Sequence, residues 1–373
     1  MNTGLDGFLS GFDGPEMISV SSFKDRKLFI YGAGIGFCTF STFVLTKYAL
    51  NPTLVLDQKF GQPNIINGLP SCHPEKFDFT EQDKCDGVVV VTLGSQLEFK
   101  RIKDYLETGL GFKYVVWAFE IYEYSLHHTS RDDISCGSAY INENKEKIIT
   151  AYELLSDEQS RLVFKSILAT YYFKKRVSIP SKPLDEQYFP KDIVLSKGFS
   201  CFIDGGAYVG DTVEQIINKK LKVENLFCFE PDHQHYLKLV EKVNGSVAAS
   251  VYAIPCGLYS TEKILSICSS ETNSSLSEFG DAYIQVMSLD HFLNGVKPTY
   301  IKMDIEGAEL DALHGAKRTI KESKADLAIS AYHKISHLWE LLLYINELGV
   351  YDTFYLRNYT SYVAESVLYA TSS

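Results

Sequence analysis

Phe202-Ile203-Asp204-Gly205-Gly206-Ala207-Tyr208-Val209-Gly210-Asp211-Thr212 is the stretch whose reading decides the fold. An apolar run ends in a carboxylate, three glycines follow within six positions, and a helix-forming segment begins at Thr212. Such a pattern is a buried strand turning sharply into a helix, where Gly205, Gly206 and Gly210 let backbone approach a ligand at the strand's carboxyl end. In a dinucleotide enzyme the turn would face a pyrophosphate. Here Asp204 opposes a phosphate but suits the amino group of a methionine moiety. Twenty residues beyond Gly210, Leu-Phe-Cys-Phe-Glu-Pro-Asp places Glu230 and Pro231 at the end of a second strand. An acid there can accept both hydroxyls of a ribose. The cofactor-binding set expected from these two motifs is Asp204, Gly205, Gly206, Ala207, Tyr208, Gly210, Asp211, Thr212, Glu230 and Pro231.

Outward from this stretch, strands alternate with helices, the pattern of an α/β fold with a parallel sheet. The predicted elements are strand Ser200–Ile203, helix Thr212–Lys219, strand Leu226–Phe229, helix His233–Val243 and strand Val251–Ile254. A polar loop over Ser269–Ser277 follows. Strand Tyr300–Met303, helix Ala308–Ile320, strand Asp326–Ala331, helix Ser336–Leu348 and strands Thr353–Leu356 and Ser366–Tyr369 complete seven strands. Residues 186–373 are read as this domain.

Several blocks give this half a family likeness. They are Tyr-Phe-Pro-Lys-Asp-Ile at 188–193, Phe-Glu-Pro-Asp at 229–232, Ser-Leu-Asp-His-Phe at 288–292, Ile-Lys-Met-Asp-Ile-Glu-Gly-Ala-Glu at 301–309, and Ala-Tyr-His-Lys at 331–334. With the glycine motif they resemble the FkbM family of S-adenosylmethionine-dependent methyltransferases, which act mostly as O-methyltransferases. The resemblance implies S-adenosylmethionine as cofactor and a seven-stranded class I methyltransferase sheet whose last two strands form an antiparallel hairpin at one edge.

Methyl transfer is an in-line displacement, so the protein must position the acceptor and manage its proton. Asp304, Glu306, Glu309 and His333 are expected near the reacting centre. His333 is the candidate general base, because an imidazole titrates near neutrality, and Asp304 is the second catalytic candidate. Glu306 and Glu309 flank Gly307 at a helix start, where carboxylates cap free N–H groups. Asp290 reads as a turn or cap residue, and Cys256 as structural. No metal ligand is assigned, and the need for a divalent cation is left open.

A second α/β unit precedes this one, so the expected fold is two Rossmann-like domains joined by a helical connector. Residues 26–125 run through strand Lys27–Tyr31, Gly-Ala-Gly-Ile-Gly at 32–36, an apolar helix to about Leu50, strand Thr53–Leu56 ending at Asp57, strand Val88–Thr92, helix Ser95–Glu107 and strand Tyr114–Ala118. The G-x-G-x-G spacing departs from G-x-G-x-x-G, which leaves open nucleotide or nucleotide-sugar binding and a scaffolding or dimerising role. Residues 126–185 read as the connector, closed by Pro180 and Pro183, and residues 1–25 as a flexible tail.

Composition bounds the functional classes. The chain has 373 residues, 45% of them hydrophobic against 22% charged, enough for folded structure nearly throughout. A net charge of -11 argues against nucleic acid as a partner. Eight cysteines without a C-x-x-C pair fit thiols in a reducing compartment and exclude a close-spaced zinc site. The uncharged run Leu28–Thr46 is better read as strand, turn and helix than as a membrane span. A cytoplasmic enzyme is expected, with a small-molecule or glycan acceptor and a possible homo-oligomer through the first unit. Sugar O-methylation is the leading reading. The alternatives are an NAD-dependent oxidoreductase built on the first unit and a non-enzymatic nucleotide-sugar binding or assembly module.

Overall fold

A computed structural model describes residues 5–12, 14–93, 96–125, 137–243, 247–269, 274–276, 282–360 and 362–372. They divide into two compact units, one within 13–127 and 173–177, the other within 1–12, 128–172 and 178–373.

The first unit is built on a six-stranded sheet of β1 (Leu28–Tyr31), β2 (Leu54–Leu56), β3 (Asn64–Ile66), β4 (Leu69–Cys72), β5 (Val88–Val91) and β6 (Tyr114–Trp117). Its order is β3-β4-β2-β1-β5-β6, and all neighbours run parallel except β3 with β4. Strands β1 and β5 are apolar at every position and buried at every position, as a sheet covered on both faces demands. The hairpin β3–β4 was not expected, although its signal is local. Asn67 and Gly68 join the strands with φ of 48° and 76°, the two-residue turn that Asn-Gly favours. The expected apolar helix begins as Ile35–Phe40 and widens into a π-helical turn over Ser41–Thr46. Among the described residues no helix is long and apolar enough to cross a membrane.

The second unit holds β7 (Cys201–Gly205), β8 (Asn225–Phe229), β9 (Ser250–Ile254), β10 (Gly257–Leu258), β11 (Lys263–Ser269), β12 (Ser274–Leu276), β13 (Ala282–Met287), β14 (Tyr300–Met303), β15 (Asp326–Ser330), β16 (Thr353–Asn358) and β17 (Ser366–Thr371). Seven of them form a sheet in the order β16-β17-β15-β14-β7-β8-β9. Strands β9, β8, β7, β14 and β15 are parallel, and β16–β17 is the antiparallel edge hairpin.

Three expectations are corrected here. Between β9 and β14, where only a polar loop over 269–277 was expected, β10, β13, β11 and β12 form a second sheet; 270–273 and 277 lie outside the described residues, as does Cys136. Helix Ala308–Ile320 is instead two helices, Glu309–His314 and Lys317–Ser323. They break at Gly315, where a Cβ would fall 2.1 Å from the Tyr259 carbonyl oxygen, so the chain bends around that backbone contact. The stretch from Leu5 to Leu9 is not a free tail. Leu5 and Leu9 are fully buried, one helical turn apart, and the Phe8 ring meets Tyr152 edge-on at 5.0 Å.

The helices Gly137–Glu143, Lys145–Leu154 and Glu158–Phe173 occupy the stretch read as a connector, and residues to 172 cluster with the second unit. A buried arginine explains this. Arg357 on β16, 1% exposed, donates to Asp157 Oδ2 at 2.6 Å and to Ser160 Oγ at 2.8 Å, and its Nε reaches Asp192 at 2.9 Å. A guanidinium out of water requires such a set of acceptors, and these tie the helix start to the sheet edge.

Candidate active site

The glycine turn follows β7 as expected. Gly206 has φ +74°, and a Cβ there would lie 1.8 Å from the Asp304 carbonyl oxygen. Only glycine lets the turn lie against the end of β14. The Gly206 N–H donates to Phe229 O at 3.0 Å, and the Tyr208 N–H donates to Glu230 Oε2 at 2.8 Å. Glu230 Oε1 accepts the Asp232 N–H at 2.9 Å. Each carboxylate oxygen therefore keeps a lone pair for a ligand. Burial pushes Glu230 up to about 7. Tyr208 adopts φ +48°, and its ring meets the His235 ring at 4.3 Å beside this acid.

Asp204 lies behind the turn rather than in front of it. It is fully buried, with Lys302 Nζ 2.9 Å from Oδ1, and the same ammonium donates to Gly206 O at 2.7 Å. Burial lowers the lysine's pKa, but Asp204 and then Asp304 raise it more, so Lys302 stays charged. Ala207 and Thr212 are buried, Asp211 is exposed at the helix start, and Pro231 is half-buried.

A second cluster sits at the carboxyl ends of β14 and β15. His333, 5% exposed, donates from Nδ1 to Glu309 Oε1 at 2.8 Å. Its Nε2 lies 3.6 Å from both Asp304 Oδ1 and Glu306 Oε2. Glu309 is fully buried. Its Oε1 also accepts the N–H groups of Ile305 and Gly307, and its Oε2 lies 3.2 Å from His337 Nδ1. The cap expected at this helix start is thus made by Glu309, which orients an imidazole as well. Burial alone would depress His333, but the Glu309 carboxylate, with Glu306 and Asp304, raises it to about 10. At neutral pH His333 is an imidazolium.

Asp304, Glu309 and His333 are also the described residues with metal-ligand chemistry, one ligand atom of each lying within 4.8 Å of the others. Glu309 Oε1 is committed to two backbone N–H groups and to the His333 ring.

Asp304 has partners that the sequence did not single out. Tyr188 donates to Oδ2 at 2.8 Å and Tyr332 to Oδ1 at 3.1 Å. Glu365, from the β16–β17 hairpin, accepts from Gln187 Nε2 at 2.7 Å, and burial with the Asp304 charge pushes it up to about 7. Lys302 was findable, since a lysine inside an otherwise apolar strand demands a buried partner. Tyr188 and Glu365 carried no local signal, because only the fold brings 188 and 365 to the end of β14. Asp290 caps a helix, accepting the N–H groups of Arg318 and Thr319, and Cys256 is a buried thiol.

Residues 204–350, from the buried acid of the glycine motif past the His333 segment, match the family model of the methyltransferase FkbM domain. The chain carries an FkbM methyltransferase domain. The family implies S-adenosylmethionine as methyl donor. Among solved structures, the chain resembles a methyltransferase FkbM from Methylobacillus flagellatus KT, with a TM-score of 0.67 and 23% identity over 92% of this chain and 90% of that one. At that identity the likeness is one of fold, and it extends beyond the FkbM domain into the first unit. No curated protein gave a significant sequence match.

Proposed function

We propose that the FkbM domain methylates a hydroxyl oxygen of a sugar in a glycan, polysaccharide or nucleotide-sugar. The observation that carries this reading is the carboxylate–imidazolium–carboxylate cluster of Asp304, His333 and Glu309, set where the Gly206 turn touches the end of β14. An acceptor hydroxyl needs a proton acceptor as its oxygen attacks. The polar fringe of Gln187, Tyr332 and Glu365 suits a polyhydroxylated partner better than an apolar one.

The glycine turn and Glu230 fit S-adenosylmethionine, which when bound supplies an electrophilic methyl group on a sulfonium. Glu230 would hold the ribose hydroxyls with the lone pairs left by Tyr208 and Asp232, while Gly205 and Gly206 let the turn pack against the end of β14 and so fix the backbone that would face the methionine portion. Asp204 acts from behind, through Lys302 and the Gly206 carbonyl that it holds. Asp304 orients the acceptor hydroxyl and takes its proton, while the His333 imidazolium, held by Glu309, lies beside it.

The reading is tested by calorimetry with S-adenosylmethionine and with NAD, then by mass spectrometry of surface glycans from cells with and without the protein. Expected are binding of S-adenosylmethionine and a glycan shift of one methyl group. Tight NAD binding without S-adenosylmethionine binding overturns it. In the pH–rate profile, a steady climb towards pH 10 would assign the proton acceptor to neutral His333 instead.

A further inference from the structure

The glycine turn of the first unit is not used by the proposed methyl transfer, yet its hydrogen bonds resemble those of the cofactor turn, the acid meeting the N–H one residue after Gly32 and two residues after Gly206. Gly32 has φ +103°, and its N–H donates to Leu56 O at 2.8 Å; Gly206 does the same to Phe229 O. The acid directly after the second strand closes each turn. Asp57 Oδ2 accepts the Ala33 N–H at 2.9 Å, and Asp57 Oδ1 accepts the Lys59 N–H, two residues on, at 2.9 Å. Glu230 takes a turn N–H and the N–H two residues on in the same way. As with Glu230, two bonds leave each carboxylate oxygen a lone pair. The Asp57 side chain is 20% exposed, so those lone pairs are within reach of solvent.

Two further features point to a phosphorylated ligand. Above the turn, a Cβ at Gly34 would meet nothing within 4 Å, while one at Gly36 would lie 1.9 Å from Thr92 O. The turn is therefore sealed on the sheet side and open outward. Lys59 extends over it, with Nζ 3.2 Å from Ala33 O and 3.8 Å from Asp57 Oδ2. Its side chain is 55% exposed, and beside those two contacts the ammonium keeps a donor for an anion that follows the ribose.

We propose that Gly32–Gly36, Asp57 and Lys59 form a second ligand site, which binds a ribonucleoside diphosphate through its ribose hydroxyls at Asp57 and its phosphates at the turn and Lys59. Thr92 at the end of β5 spends its hydroxyl on Tyr31 O and Gly32 O. This site stands independently of the methyltransferase reading.

The test is calorimetry of the full chain with ADP and with UDP, each run with saturating S-adenosylhomocysteine so that the FkbM site is filled. Binding of at least one nucleotide is expected, about tenfold or more weaker for its 2′,3′-dideoxy counterpart and for Asp57→Asn, and unchanged for Glu230→Gln. Should Asp57→Asn lower the melting temperature, the dideoxy comparison on the unaltered protein decides. The proposal fails if neither nucleotide binds at millimolar concentration, if the dideoxy compounds bind equally well, or if binding is lost in Glu230→Gln and kept in Asp57→Asn.

Discussion

The two glycine turns share a backbone frame and differ in what lies beneath and beside it. Both first strands sit between a second strand and the strand that follows the next crossover, and Thr92 N donates to Tyr31 O as Asp304 N donates to Gly205 O. By that register Ile30 faces Val90 where Asp204 faces Lys302. Thr92 likewise stands where the FkbM domain has Asp304. One frame is filled with apolar pairs and a self-satisfied hydroxyl, the other with a buried ion pair and a titratable cluster. The charged residues are what set one copy of the frame apart from the other.

The sharpest way to break the comparison is to make one turn resemble the other. Asp304→Thr copies the first unit into the FkbM domain and removes the proposed proton acceptor without disturbing Glu230. Turnover should fall about 10²–10⁴-fold, the usual contribution of a positioned acid or base, with affinity for S-adenosylhomocysteine unchanged. Loss of binding alongside turnover would show that Asp304 belongs to the cofactor site instead. The readout is S-adenosylhomocysteine formation with the acceptor found by glycan mass spectrometry.

The ion pair gives the next largest effect. Lys302→Val leaves Asp204 buried without its partner, which costs about 3–5 kcal/mol in comparable cases. The double variant Asp204→Ile with Lys302→Val recreates the Ile30–Val90 pair and should recover most of that loss, because a well-packed apolar pair often replaces a buried ion pair without cost. Denaturant unfolding measures both. A double variant as unstable as the single one would mean that the bond from Lys302 to Gly206 O, rather than the pairing of charges, holds the turn. With stability recovered, weakened S-adenosylhomocysteine binding would show that the ion pair serves the ligand.

How much of this was legible in the sequence follows from which forces are local. The strand–turn–helix at 202–212 was, because a glycine-rich turn after an apolar run has few alternatives, and Glu230 followed from its place after the next strand. Asp204 was legible as a special acid but not in its direction: residue type cannot tell a carboxylate aimed at a ligand from one paired with a lysine on the neighbouring strand. His333 was found, but its charge was not. Glu309 makes it an imidazolium, and that depends on a contact across 24 positions that only the packing of β14 and β15 creates. Tyr188 had no signal for the same reason. In the first unit, Asn67-Gly68 announced a hairpin that went unread, because the short strands around it carry little hydrophobic alternation.

Glu230 and Asp57 separate the two sites in binding. Glu230→Gln keeps the shape but exchanges a charge-assisted acceptor for a neutral one, worth about 1.5–3 kcal/mol, so S-adenosylhomocysteine should bind roughly 10–100-fold more weakly. Asp57→Asn should leave that affinity unchanged. If Asp57→Asn weakened it equally, the adenosyl group would be reading the wrong turn, and the assignment of cofactor to the FkbM domain would fall.

The smallest effect is the pH dependence of that binding. Burial has raised Glu230 to about 7, above its unfolded value, so the empty site holds a proton below that pH. Ribose hydroxyls donate to the carboxylate and favour its ionised form. Binding must then expel the proton, and affinity should fall about tenfold for each pH unit below 7 and level off above it. The same raised value means that Glu230 subtracts from stability as pH rises from the ordinary carboxylate range to 7, so the site is least comfortable empty at the pH where it binds best. Calorimetry from pH 5.5 to 8 in buffers of differing ionisation enthalpy would show uptake of protons by the solution on binding near pH 6. Glu230→Gln should abolish that proton release and flatten the profile. A profile still steep in Glu230→Gln would move the titrating group to Asp204 behind the turn, and with it the point at which the two glycine turns diverge.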